Sequence, residues 1–150
     1  MTDSLSSSTP FDDLPPALRQ GIEQFNSGQF YACHDTLEAL WMEAELYSRP
    51  FYQGILQIAV AFYHLGNSNW QGAAILLGEG TNRLYPFEPD YGGIDVANLI
   101  DQSESWLSTL QKVGVEGVDS LAAIINETEQ ENEAAIAGDE LKLPQIRVLF

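Results

Sequence analysis

Cysteine, positive charge and long apolar runs are all scarce in this 150-residue chain. A single cysteine, Cys33, excludes an intrachain disulfide, and its place on an apolar stripe reads as a small buried hydrophobe. Six basic residues stand against 22 acidic ones, for a formal charge of −16. The six cations, Arg19, Arg49, Arg83, Lys112, Lys142 and Arg147, form no cluster along the chain. Phosphate backbones and anionic head groups are repelled by such a surface, so neither nucleic acid nor a membrane is an expected partner. No apolar stretch approaches the roughly 20 residues that span a bilayer. The opening segment MTDSLSSSTPFDD carries neither the basic start nor the apolar run of a secretory signal, and a reducing, cytoplasmic setting is expected. Glycine-rich phosphate loops are missing too, since the glycines of GEGTNRLYP follow no strand.

What is present is a core. Apolar residues make up 45% of the chain, with seven Phe, six Tyr and three Trp, which sets it apart from a disordered polyanion. Residues 1–13 are too polar to pack and are expected to be disordered, leaving residues 14–150 as a single helical domain. Pro15 and Pro16 suit a first helical turn, and Leu18, Ile22 and Phe25 recur at helical spacing up to the Asn26-Ser27-Gly28 stop. A second helix is predicted from about residue 29 to 46 with Ser27 as N-cap, and a third from Arg49-Pro50 to about Leu65. The fourth, from about Trp70 to Tyr85, holds Gly72, Ala73, Ala74, Gly78 and Gly80, small residues that predict close approach to a neighbour. Residues 86–93 hold two Pro and two Gly and read as an irregular loop. Asp95 then caps a helix to about Lys112, and a last helix runs from about Val118 to Ala137. No strand pattern emerges, so the fold class is all-α, a compact bundle of about six helices in antiparallel hairpins. The acidic run NETEQENEAAIAGDE reads as a solvated face, and the apolar ending LPQIRVLF as a segment docked on the body.

Polar residues on the second and third helices are the lead on function. His34 and Glu38 lie one turn apart beside the stripe Phe30, Cys33, Leu37, Leu40, Trp41 and Ala44. On the third helix Gln53, Gln57, Ala61 and His64 share a face of a segment otherwise apolar nearly all round, the pattern of a buried central helix. A buried amide or imidazole without a partner costs about 1–3 kcal/mol, so these groups are expected to meet each other or a ligand in a central buried cluster. Trp41 and Tyr63 are its expected walls, with the Trp41 indole within helical reach of Glu38. Asp35 is expected to point away from His34 into solvent.

The run FNSGQFYACHDTLEALW, then RPFYQGILQIAVAFYHLGN, then GAAILL and GID, resembles the bacterial, archaeal and plastid-lineage family known as domain of unknown function 309, over roughly residues 20–100. The resemblance implies a compact all-helical fold and no established activity. It places His34, Glu38, Trp41, Gln53, Gln57 and His64 at the family's motif positions. Asp35 departs from the pattern, where a second Glu usually follows the His. The acidic C-terminal helix and tail, from about residue 115 to 150, lie outside the resemblance.

Two readings of function stand. The first is a binding or structural module, with a small ligand or a protein as partner; GIEQFNSGQFYACHDTLEALW also resembles one tetratricopeptide-like hairpin, and the aromatic count leaves room for a homodimer. The second is a metal-dependent enzyme, hydrolase-like, in which His34, Glu38 and His64 hold a divalent ion. Without HExxH or a Cys pair the first is preferred, and no cofactor is expected.

Overall fold

The computed structural model describes residues 14–126 and 141–149. The expected disorder of residues 1–13, and the continuation of the last helix to Ala137 with its acidic run, lie outside the described residues. Six α-helices are present among the described ones: α1 (Pro16–Asn26), α2 (Phe30–Glu43), α3 (Arg49–Gly66), α4 (Trp70–Leu84), α5 (Val96–Val113) and α6 (Val118–Asn126). The fold is all-α.

Local chemistry sets most boundaries. Proline stands in the first turn of both α1 and α3, where its missing N–H deprives the helix of nothing. Asn69 and Asp95 cap α4 and α5, each side chain accepting a hydrogen bond from the backbone N–H three residues on, at 3.0 Å. Ser27 does not cap α2. It closes α1 instead, its hydroxyl donating back to the carbonyls of Glu23 and Gln24 at 2.9 and 3.2 Å. Helix α2 stops at Glu43, three residues short of expectation, where Ala44 turns to an extended conformation at ψ 155°, and Leu46 and Tyr47 beyond it are exposed.

Helix α3 is the hub, lying between α2 and α4 and also touching α6. Phe25, Phe30, Phe62 and Trp106 bring α1, α2, α3 and α5 together, with ring centroids 5.2–6.3 Å apart in mostly edge-to-face pairs. Against α4 the contact is backbone on backbone. A Cβ at Gly80 would stand 2.8 Å from the Gly54 carbonyl oxygen, so the small residues of α4 let two helices approach where any side chain would collide.

The expected loop after α4 holds a short hairpin, β1 (Asp90–Tyr91) and β2 (Ile94–Asp95). Gly92 and Gly93, at φ of +58° and +83°, form its two-residue turn. A Gly-Gly pair between Tyr91 and Ile94 is a hairpin signal, and reading the segment as irregular missed it. The C-terminal segment docks alongside, as expected. Val148 bridges Ile94, and backbone bonds join Asp95 N–H to Arg147 and Leu149 N–H to Gly93. Two side-chain amides complete the docking as surrogate backbone. Asn26 exchanges a pair of bonds with Ile146 at 2.6 and 3.1 Å, and Gln102 another with Gln145 at 2.8 and 2.9 Å.

Candidate polar face of the central helical hairpin

Antiparallel α2 and α3 present the sequence-derived residues, and burial sorts them first. Cys33 and Leu37 of α2, with Phe51, Ile55, Ile58 and Phe62 of α3, turn inward to near-complete burial. His34, Trp41, Gln53, Gln57 and His64 are half-buried, and Glu38 and Tyr63 are exposed. The expected buried cluster is therefore a rim: Gln53, Gln57, Val60 and His64 form a half-buried stripe of α3, while Ala61, expected on the same face, is buried. Desolvation explains the placement, since an amide at a rim keeps water on one side and loses little.

The rim divides into three local groups. In the first, His34 Nδ1 donates to Asp35 Oδ1 at 3.2 Å, and ligand atoms of His34, Asp35 and Glu38 lie within 4.8 Å of one another. Asp35 thus bends back to His34, against the expectation that it points away. In the second, Gln57 faces α4: its amide donates to Glu79 at 3.2 Å and its carbonyl oxygen accepts from Arg83 Nε at 2.8 Å. Gln57 thereby separates Glu79 and Arg83, which sequence spacing alone pairs directly. In the third, Asn69 Nδ2 donates to His64 Nδ1 at 3.3 Å, where α3 turns into α4. Gln53 joins none of these groups among the described residues.

Two tyrosines connect the separated histidines. Tyr31 stacks on His34 with centroids 5.9 Å apart, Tyr63 lies 5.2 Å from Tyr31, and His64 lies 5.9 Å from Tyr63. His34 and His64 are thus opposite ends of a four-ring ladder, and His64 does not join the His34, Asp35 and Glu38 group. Tyr31 was not singled out from the sequence, although its spacing of three residues from His34 placed both on one face.

Trp41 does not find Glu38. Its indole N–H is buried without a hydrogen-bond partner among the described residues, and the Arg49 guanidinium lies over its ring, 5.2 Å from the centroid. Arg49 also donates to the Met42 carbonyl at 3.2 Å, so it secures the end of α2 and does not stand free at the mouth of a site. Burial pushes the Cys33 thiol up to about 12, which keeps it protonated and a poor nucleophile at neutral pH. The cations, scattered in sequence, are partly gathered in space: Lys142 and Arg147 line one cavity of about 340 Å³ with Gln102 and Trp106. No helix among the described residues is long and apolar enough to cross a membrane.

Residues 18–76, from α1 into α4, match the family model described as "Domain of unknown function (DUF309)". The match ends before the GID segment that the sequence resemblance had included. No curated protein and no solved structure shows significant similarity to the chain.

Proposed function

We propose that the protein is a binding module in which the outer face of α2 and α3 receives a partner, with His34, Glu38, Trp41, Gln53, Gln57, Tyr63 and His64 as contact residues and Tyr31 among them. The carrying observation is the ring ladder, whose tyrosines are 57% and 40% exposed though packed on each other. Tyrosines held rigid by a neighbour contribute contact area at little entropic cost, and aromatic residues are enriched at interfaces. The setting is in keeping with a cytoplasmic protein that avoids nucleic acid: a charge of −16 and one buried thiol. One continuous apolar cluster from Leu14 to Ile146 supports residues 14–150 as a single domain.

The test is comparative. Partners recovered by the full chain should bind it saturably when purified, and Tyr31→Ser with Tyr63→Ser should weaken that binding at least tenfold. The same double variant should lose less than about 1 kcal/mol of stability, as surface changes do. Equal retention by parent and variant would remove the ladder from the interface.

One observation favours a second reading, a divalent ion on His34, Asp35 and Glu38, whose ligand atoms already converge within 4.8 Å. One imidazole and two carboxylates are an acceptable donor set for zinc or manganese. Titrating either ion into chelator-treated protein should then raise the melting temperature by several degrees, and His34→Ala should abolish the shift. An unchanged melting curve with both ions would retire the reading.

A further inference from the structure

At the turn end of the same hairpin, away from the ring ladder, lie the three most exposed large apolar side chains among the described residues. Met42, Leu46 and Tyr47 are 63%, 77% and 72% exposed within six residues. The residues on either side of Leu46 and Tyr47 line a groove of about 450 Å³: Glu43, Ala44, Glu45 and Ser48, together with Pro15, Pro16, Leu40 and Tyr52. The electrostatics are one-sided. The C-terminus of α2 carries the negative end of the helix dipole, yet its last turn holds Glu43 and no basic residue, and Glu45 follows directly. Of the cations nearest in sequence to the lining residues, Arg49 is committed to the Trp41 ring and the Met42 carbonyl, and Arg19, one turn along α1 from Pro15, has its Nε buried.

We infer that this groove binds a cationic amphipathic segment of a partner protein, with an apolar anchor against Leu40, Ala44 and Tyr52, the exposed Leu46 and Tyr47 extending the apolar contact beside it, and a Lys or Arg against Glu43 and Glu45. Charge selects this occupant over those the chain itself could supply. Residues 1–13 contain three Asp and no cation, and residues 127–140 are likewise acidic and without a cation. A second copy would bring another formal charge of −16 to an acidic rim. A cation placed there opposes the dipole and both carboxylates, while the anchor covers side chains that otherwise face water.

The site goes beyond the ring-ladder reading and stands or falls separately from it. The experiment titrates the full-length protein with a synthetic helical peptide of alternating Leu and Lys turns, and with its Leu/Glu counterpart, at physiological salt. The Leu/Lys peptide should bind saturably and the Leu/Glu peptide should not. Leu46→Ser with Tyr47→Ser, and separately Glu43→Gln with Glu45→Gln, should each weaken binding at least tenfold. Asp101→Asn with Glu104→Gln, which removes the same charge on exposed α5, should change it less than twofold, as should Tyr31→Ser with Tyr63→Ser. Equal weakening by the α5 pair would reduce the effect to attraction between a polycation and an acidic protein, and overturn the proposal. Binding of the Leu/Glu peptide, or a dimer of the parent that Leu46→Ser with Tyr47→Ser abolishes, would overturn it as well.

Discussion

Helix α3 meets α4 through backbone and shows water a stripe of amides and rings, and the two sides are built from opposite residue types. Toward α4, Gly54 and Gly80 have no side chains to keep the helices apart, and toward α1, α2 and α5, Phe62 is fully buried against three aromatic rings. On the outer face His34, Gln57 and His64 are paired locally, with Asp35, with Glu79 and Arg83, and with Asn69, while Gln53 has no side-chain partner among the described residues. Interior contacts are mutually dependent, because removing one ring leaves a void that its neighbours cannot fill. Outer contacts are separable, because water replaces whatever is removed. Stability therefore belongs to the inner side, and the recognition proposed above draws on the outer one.

The largest effect that sharpens this contrast is expected at Phe62. Phe62→Ala should cost about 4 kcal/mol, the usual penalty for deleting a buried aromatic, measured by urea unfolding with an unchanged slope. A cost below about 1 kcal/mol would mean that the four-ring cluster is not a keystone. A smaller and graded effect is expected at Cys33, on the inward side of α2. Its thiol ionises at about 12 in the fold against an ordinary 9.0. The native state then holds this proton more tightly than the unfolded chain. The contribution is fully present below pH 9.0 and is lost as pH rises toward 12, at up to about 1.4 kcal/mol per pH unit. Unfolding followed from pH 8 to pH 11 in the parent and in Cys33→Ala should show the steeper decline in the parent. Parallel curves would place the thiol in contact with water.

Helix positions were largely legible in the sequence because their punctuation is local: proline in the first turns of α1 and α3, Asp95 before α5, and the Gly66 to Asn69 turn before α4. Docking of the C-terminal segment was legible from its apolar content in a charged chain. Periodicity also placed Gln53, Gln57 and His64 on one face of α3, yet it carries no information on whether a neighbour covers that face. The buried cluster was inferred from the apolar residues around these groups, and the actual neighbours, α2 and α4, flank the stripe without closing over it. Asp35 escaped because a ring and a carboxylate on adjacent residues can bend toward each other even though their Cα–Cβ vectors diverge. The β1–β2 hairpin escaped because its strands are two residues long and its third partner, Val148, lies more than 50 positions away.

Simultaneous substitution of His34, Glu38 and His64 by Ala, followed by urea unfolding in the presence of chelator, tests the division between inner and outer sides most directly. Three changes on the outer face of at most about 0.5 kcal/mol each predict a total loss of about 1.5 kcal/mol or less. A loss above about 3 kcal/mol, the signature of a broken interior network, would contradict it.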